Sequence, residues 1–240
     1  MARKRKLLYL LLLAFLLLLG SVTGLWFLSR SRTYQVFGEI LSRVETDQRV
    51  VALTFDDGPV PEATAEILDI LRTHNVPATF FLTGREIEKH TSAALSIAQD
   101  GHEIGNHTYS HPRMMLKSYG FIADEIERTD RLIHDLGTTE TAHFRPPYGK
   151  KLFTLPWYLS KHDRLTITWD IEPESYPEIA GDSQKIAEHV LTHTRPGSII
   201  LLHVMYDPKR ATMNAVSPII TGLKQQGYRF VTISDLLQTR

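Results

Sequence analysis

The chain has 240 residues, no cysteine, and equal numbers of basic and acidic side chains, 27 of each, for a formal net charge of zero. A neutral balance gives nucleic acid no electrostatic reason to bind, and the lack of thiols excludes disulfides and leaves any metal to histidine and carboxylate ligands. With 42% hydrophobic and 22% charged positions, the length suits one globular domain with an appendage.

The appendage is N-terminal. Arg3-Lys4-Arg5-Lys6 precedes an uncharged stretch from Leu7 to Leu28, which as a helix is long enough to cross a hydrocarbon core of about 30 Å. Positive charge before the span predicts a cytoplasmic segment at 1–6, a single-pass signal anchor at 7–28, and an extracellular remainder. A cleaved signal peptide shares the basic start and apolar middle. The length of the apolar run and the lack of a clear Ala-x-Ala site favour retention, while Ser21-Val22-Thr23-Gly24 keeps the secreted alternative open. Residues 29–48 are polar and mixed, read as a juxtamembrane linker with a turn or two of helix, and the globular domain is expected over 49–240.

Within that domain apolar runs and helical patterns alternate. The expected order is strand Val50 to Phe55, helix Glu62 to His74, strand Ala78 to Leu82, helix Arg85 to Asp100 and a short strand Glu103 to Gly105. Helix Tyr119 to Leu136, a short strand His143 to Arg145, helix Leu152 to Lys161, strand Leu165 to Asp170 and helix Ser183 to His193 follow. Strand Ser198 to His203, a helix over about Met213 to Gln226 and strand Phe230 to Ile233 complete it. Alternation of this kind implies parallel strands joined by crossovers. About seven such units suit an α/β barrel better than a small open sheet. Asp56, Asp57, His107, Arg145, Asp170 and His203 all fall at or just past the C-terminal end of an expected strand, the face on which parallel barrels carry their sites.

Thr54-Phe55-Asp56-Asp57-Gly58 ends the first strand in two adjacent carboxylates. They repel unless a cation or proton is shared, so the pair reads as a metal ligand beside a general base, or else as a solvated Asp-Gly turn. His107 and His111 stand four apart, and on a helical turn both imidazoles would reach one metal. With one aspartate they would form a His2Asp set that leaves positions open for water and substrate. His189 and His193 share that spacing in an expected surface helix and read as solvated. Arg145-Pro146-Pro147-Tyr148-Gly149 is stiff backbone carrying one permanent charge, suited to orienting a carboxylate. The apolar run Ser198 to Leu202 ends in His203, which could be a pocket residue or a hydrogen-bonded core histidine. Trp169 precedes Asp170 and Glu172 at another strand end, where its ring could face a sugar or lie in the core.

These segments, in this order, resemble the polysaccharide deacetylase family, also called the NodB-homology domain or carbohydrate esterase family four, over about residues 50 to 237. The resemblance implies a distorted (β/α) barrel and hydrolysis of acetyl groups from N-acetylated sugars of a cell-wall or chitin-like glycan. It implies Asp57, His107 and His111 as ligands of one divalent metal, zinc foremost, with cobalt, nickel, manganese or iron as alternatives. Asp56 matches the base that activates the metal-bound water, Arg145 the residue that orients this base, and Tyr148 a backbone N–H donor to the oxyanion. Leu201 matches a wall of the acetyl pocket and His203 the acid that protonates the leaving amine. The family's Asp-x-x-Asp-Trp is here Glu172-Pro173-Glu174-Ser175-Tyr176. Ser175 cannot supply the charge that raises the pKa of the catalytic histidine, which leaves Asp170 or Glu174 for that task. Tyr176 in place of Trp would keep a narrower aromatic wall. An O-acetyl esterase, or a glycan-binding protein with little catalysis, are the other readings of the altered acid side.

Overall fold

The computed structural model describes residues 2–138, 142–206 and 210–240; Met1, in the expected cytoplasmic segment, lies outside them. Helix α1 runs over Ala2–Arg30 and is exposed along its apolar length, long and apolar enough to cross a membrane, as a signal sequence also would be. The other elements are β1 (Ile40–Leu41), β2 (Val50–Asp56), α2 (Pro61–His74), β3 (Thr79–Leu82), α3 (Gly84–Lys89), α4 (Thr91–Gln99), β4 (Glu103–Asn106) and α5 (Tyr119–His134). They continue with α6 (Thr154–Lys161), β5 (Thr166–Ile167), α7 (Ser183–His193), β6 (Ile199–Leu202), α8 (Ala211–Gln225), β7 (Arg229–Val231) and α9 (Ile233–Leu237).

The strands pair in parallel around β2, which meets β3 at Thr54–Asp56, β6 at Ala52–Phe55 and β7 at Val50–Ala52. Beyond β3 lies β4. The circuit then closes through single residues: Phe144 bridges Asn106 and Thr166, and Ile171 bridges Ile200. The result is a barrel, distorted because β7 shares the flank of β2 with β3 and because two of its staves are isolated bridges.

Side chains alternate along each strand, so one parity faces the barrel interior. Val50, Ala52, Phe81, Ile167, Trp169, Ile199 and Leu201 pack together inside. Val51, Leu53, Phe55, Phe80, Ile200 and Leu202 pack outward against α2, α7 and α8. Burial on both faces explains why the strands read as unbroken apolar runs. The inward parity of β2 continues to Thr54 and Asp56, that of β6 to His203. Gly105 faces Phe81 across β3 and β4, where an added Cβ would come within 2.5 Å of the Phe81 ring, so only glycine lets the aromatic fill the interior.

Several expected elements differ. The linker at 29–48 carries no helix after Arg30. Its β1 pairs with β5, Val44 is fully buried, and the Val44 N–H donates to the Gly197 carbonyl at 3.0 Å. The close approach needs Gly197, at φ +77°, since a Cβ there would lie 1.9 Å from the Val44 oxygen. The helix expected over Arg85 to Asp100 breaks at His90 (φ −130°, ψ 48°) into α3 and α4. The strands expected over His143 to Arg145 and Leu165 to Asp170 shrink to the Phe144 bridge and to two residues. Ile233, expected in the last strand, instead opens α9, whose first turn is capped by the Thr232 hydroxyl accepting from Asp235 N–H at 3.1 Å.

Candidate active site

The C-terminal strand ends surround a cavity of about 390 Å³. Asp56, Asp57, His107, His111, Tyr148, Trp169, Leu201 and His203, all expected at the site, line it. At its floor Arg145 is fully buried. Its Nη1 donates to Asp56 Oδ1 at 2.6 Å and to Thr54 Oγ1 at 2.9 Å, Nη2 donates to the Thr168 carbonyl at 3.2 Å, and the guanidinium lies 4.0 Å from the Phe81 ring centroid. Burial pushes the Asp56 carboxyl up, but Arg145, His107 and His203 together hold it below the usual range. Asp56 is therefore a carboxylate whose Oδ1 is occupied by Arg145, leaving Oδ2 for chemistry. Thr54 is a partner that the sequence reading missed, and the alternation of β2 is the signal that places it beside Asp56.

Asp57 takes a left-handed backbone (φ 73°), turning its side chain away from that of Asp56. His107 Nδ1 is 2.8 Å from the Arg145 carbonyl; a carbonyl only accepts, so Nδ1 carries the proton and Nε2 presents a lone pair. His107 Nε2 lies 4.0 Å and His111 Nε2 3.3 Å from Asp57 Oδ1. The ligand atoms of the three residues all fall within 4.8 Å of one another. Burial and the neighbouring His107 press the His111 pKa down to about 4 against the pull of both aspartates, so its ring is neutral, as a ligand must be. One carboxylate and two imidazoles around a shared point fit a divalent cation with open positions.

The histidines do not reach this arrangement on a helical turn. Residues 107–118 are irregular, with Thr108 at φ 68° and His111 at φ 57°. Side-chain bonds hold the loop instead: Asn106 Oδ1 accepts from Thr108 N–H at 2.8 Å, Thr108 Oγ1 from His111 N–H at 3.1 Å, and Glu125 from Ser110 N–H at 2.7 Å. His189 and His193 sit on α7, where they stack on each other with ring centroids 4.2 Å apart.

On the opposite side His203 Nδ1 is 3.1 Å from Glu174 Oε2, while Glu174 Oε1 accepts from His203 N–H at 2.8 Å and from the Thr212 hydroxyl at 2.8 Å. Burial alone would lower the His203 pKa, but Glu174, then Asp56 and Asp57, raise it to about 9. Between the two acids left open by the sequence, the structure puts Glu174 on the histidine. Asp170 is spent on the Ser198 hydroxyl at 2.8 Å and Ile199 N–H at 2.9 Å. Glu172 binds Trp169 Nε1 at 2.9 Å and the Ser175 hydroxyl at 2.5 Å.

Tyr176, expected as an aromatic wall, lies apart from the other site residues. It does not line the cavity, because after the single 3-10 turn Pro173–Ser175 its ring packs on His189 of α7, centroids 5.0 Å apart. Tyr148 has a left-handed backbone (φ 57°) and its ring lies 4.7 Å from that of His111. The cavity also holds Arg30, Arg32 and Lys150, which the sequence reading missed; in one dimension they are cations flanking the N-terminal apolar segment and a loop lysine.

Known proteins resemble this chain over most of its length. The family model described as polysaccharide deacetylase matches residues 43–167. A peptidoglycan-N-acetylglucosamine deacetylase of Bacillus cereus is 37% identical over 190 residues, covering 79% of this chain and 68% of that protein. The chitooligosaccharide deacetylase of Azorhizobium caulinodans is 33% identical over 173 residues, covering 72% and 81%. The peptidoglycan-N-acetylmuramic acid deacetylase PdaC of Bacillus subtilis is 32% identical over 197 residues, covering 82% of this chain but 40% of that longer protein. Among solved structures, the Bc1960 peptidoglycan N-acetylglucosamine deacetylase superposes with a TM-score of 0.77 at 35% identity, covering 83% of this chain and 92% of its own. With more than half of its length matched by the family model and the fold shared, the chain belongs to the polysaccharide deacetylase family.

Proposed function

We propose that this protein removes acetyl groups from N-acetylated sugars of a cell-wall or related glycan, as a metal-dependent hydrolase held outside the cell by its N-terminal helix. The observation that carries the reading is the placement of Asp56 and His203, groups of opposite protonation state, in one cavity with the Asp57, His107 and His111 cluster.

Asp57, His107 and His111 would hold the cation, which when bound supplies Lewis acidity to the acetyl carbonyl and acidity to water. The chain's own groups do the rest. Asp56 Oδ2 takes a proton from the water that attacks the acetyl carbon, with Arg145 keeping the carboxylate ionised and aimed. The Tyr148 N–H donates to the carbonyl oxygen as it gains negative charge. His203, charged by Glu174 through Nδ1, donates its Nε2 proton to the amine nitrogen as the C–N bond breaks, leaving acetate and a free amine. Leu201 and Trp169 bound the space for the acetyl group and its ring. The Glu174–His203 pair favours amide over ester hydrolysis, because an amine leaves poorly without a proton and an alkoxide needs the acid less.

The test is acetate release by the zinc-loaded full chain in neutral detergent from N-acetylglucosamine oligomers, with an O-acetylated glycan alongside. Release from the N-acetyl substrate is expected. No release from it would overturn the proposal, and release from the O-acetylated glycan alone would make the enzyme an esterase.

A further inference from the structure

One rim of the cavity is built by the end of the anchor helix. Ser29 is fully buried, its carbonyl accepts from Lys151 N–H at 3.1 Å, and the Lys151 ammonium donates to the Ser31 carbonyl. The Arg32 carbonyl accepts from the Thr168 hydroxyl at 2.7 Å. The Arg32 guanidinium pairs with Glu172 at 3.1 Å and lies 5.0 Å from the Trp169 ring. These contacts fix Arg30 and Arg32 in the lining of the same cavity as Asp57, His107 and His111. Lys150 lines it too; its ammonium is 4.2 Å and the Arg30 guanidinium 5.4 Å from the Trp26 ring of α1.

Arg32 is neutralised by Glu172. Arg30 and Lys150 are ion-paired with no carboxylate among the described residues, and they stand close enough that burial, then Arg30, then Arg113 hold the Lys150 ammonium below its usual pKa. Crowding cations without counter-charge is unfavourable unless an anion joins them, and a partly enclosed cavity strengthens its attraction. The three acids of the cavity are engaged elsewhere: Asp56 by Arg145, Glu172 by Arg32 and Trp169, and Asp57 in the cluster with His107 and His111. A neutral sugar can accept hydrogen bonds from such a wall, but only an anion balances its charge.

We propose that Arg30 and Lys150, on a rim fixed by Arg32, form a subsite for a carboxylate carried by the glycan beside the N-acetyl group, so that the substrate is an acidic N-acetyl sugar. This rests on the deacetylase reading and names its substrate class. It also makes the end of the anchor helix part of the substrate site. The favoured source of the anion is the sugar rather than a lipid phosphate, because the two cations line the cavity itself together with the acetyl-bearing end.

The full chain in neutral detergent is assayed on peptide-free glycan of alternating N-acetylglucosamine and N-acetylmuramic acid, and on the same glycan with its carboxylates methyl-esterified. The wild type is expected to favour the free acid in kcat/KM, and Arg30→Gln/Lys150→Gln to shrink that preference about tenfold, mainly through KM, as expected for lost charge-assisted hydrogen bonds. Arg30→Lys/Lys150→Arg should restore most of it. An unchanged preference in the Gln variant overturns the proposal. So does a loss that falls equally on both glycans and appears only in phosphatidylglycerol vesicles, which would assign the wall to lipid phosphate. Calorimetric titration with the two glycans separates this inference from the activity: the wild type should bind the free acid about tenfold tighter than the ester, and the Gln variant should bind them alike. If the chain binds in this way and releases no acetate, the deacetylase reading fails and the anion subsite stands.

Discussion

At the scale of single residues, the two adjacent aspartates meet different partners because their backbones differ. Asp56 completes β2 and points inward to Arg145, while Asp57 turns through φ 73° toward the histidines. Asp57→Ala should therefore lose both bound zinc, measured by elemental analysis, and activity. His203 is the second lever. Burial opposes its charge, yet Glu174 and the aspartates raise its pKa to about 9, so its proton is available below that pH and the rate should fall as pH rises through it. Glu174→Gln removes the first favourable partner, and the alkaline limb of the pH–rate profile should move down by about one to two pH units. The same linkage acts on stability. A raised folded-state pKa stabilises the fold fully below the unfolded value of about 6.5 and loses that contribution as pH rises through about 9, so the variant should lose more stability at pH 6 than at pH 10. An unmoved alkaline limb would show that Glu174 does not set the histidine's charge. The residue types were legible in sequence. The partner of His203 was not, because Asp170 and Glu174 both lie near the strand end and only the 3-10 turn at Pro173–Ser175 settles which one reaches it.

At the scale of elements, the continuous apolar runs gave the strands their places, and inward parity put Thr54, Asp56, Leu201 and His203 on one side. What the pattern hid were elements held by other means. The His107 to His111 segment has helical spacing but is a loop, held by Asn106, Thr108 and Glu125 side chains, and no hydrophobic period reports such bonds. The stave at Phe144 is one residue, too short for any periodicity. Gly105 shows how tightly β3 and β4 set the interior. Gly105→Ala should cost about 1–3 kcal/mol through overpacking against Phe81, read as a lower midpoint in urea unfolding, and a midpoint equal to the wild type would mean that the Phe81 ring relaxes freely.

At the scale of the whole molecule, the segment after the N-terminal apolar helix is woven into the barrel. β1, buried Val44 and the Arg32 contacts all precede residue 49, where the composition alone suggests that the domain begins. A polar, mixed stretch reads as a linker because its few apolar residues follow no period, and its hydrogen bonds to β5 and Gly197 are long-range. Deleting residues 1–48 should lower the melting temperature by about 5 °C or more relative to the full chain, measured by scanning calorimetry; equal melting temperatures would show that the segment is only a tether. The barrel, the end of the N-terminal helix and the strand-end residues together form one cavity, with Asp57, His107 and His111 on the side proposed to hold the metal and His203 on the side proposed to donate the proton. The most direct measurement of that division is the zinc content and acetate release of Asp56→Asn beside the wild type. A variant that keeps full zinc and loses about two to four orders of magnitude in turnover on N-acetylated glycan is the predicted result, whereas loss of zinc, or wild-type turnover with zinc bound, would contradict the assignment of Asp56 as the base beside an independent metal site.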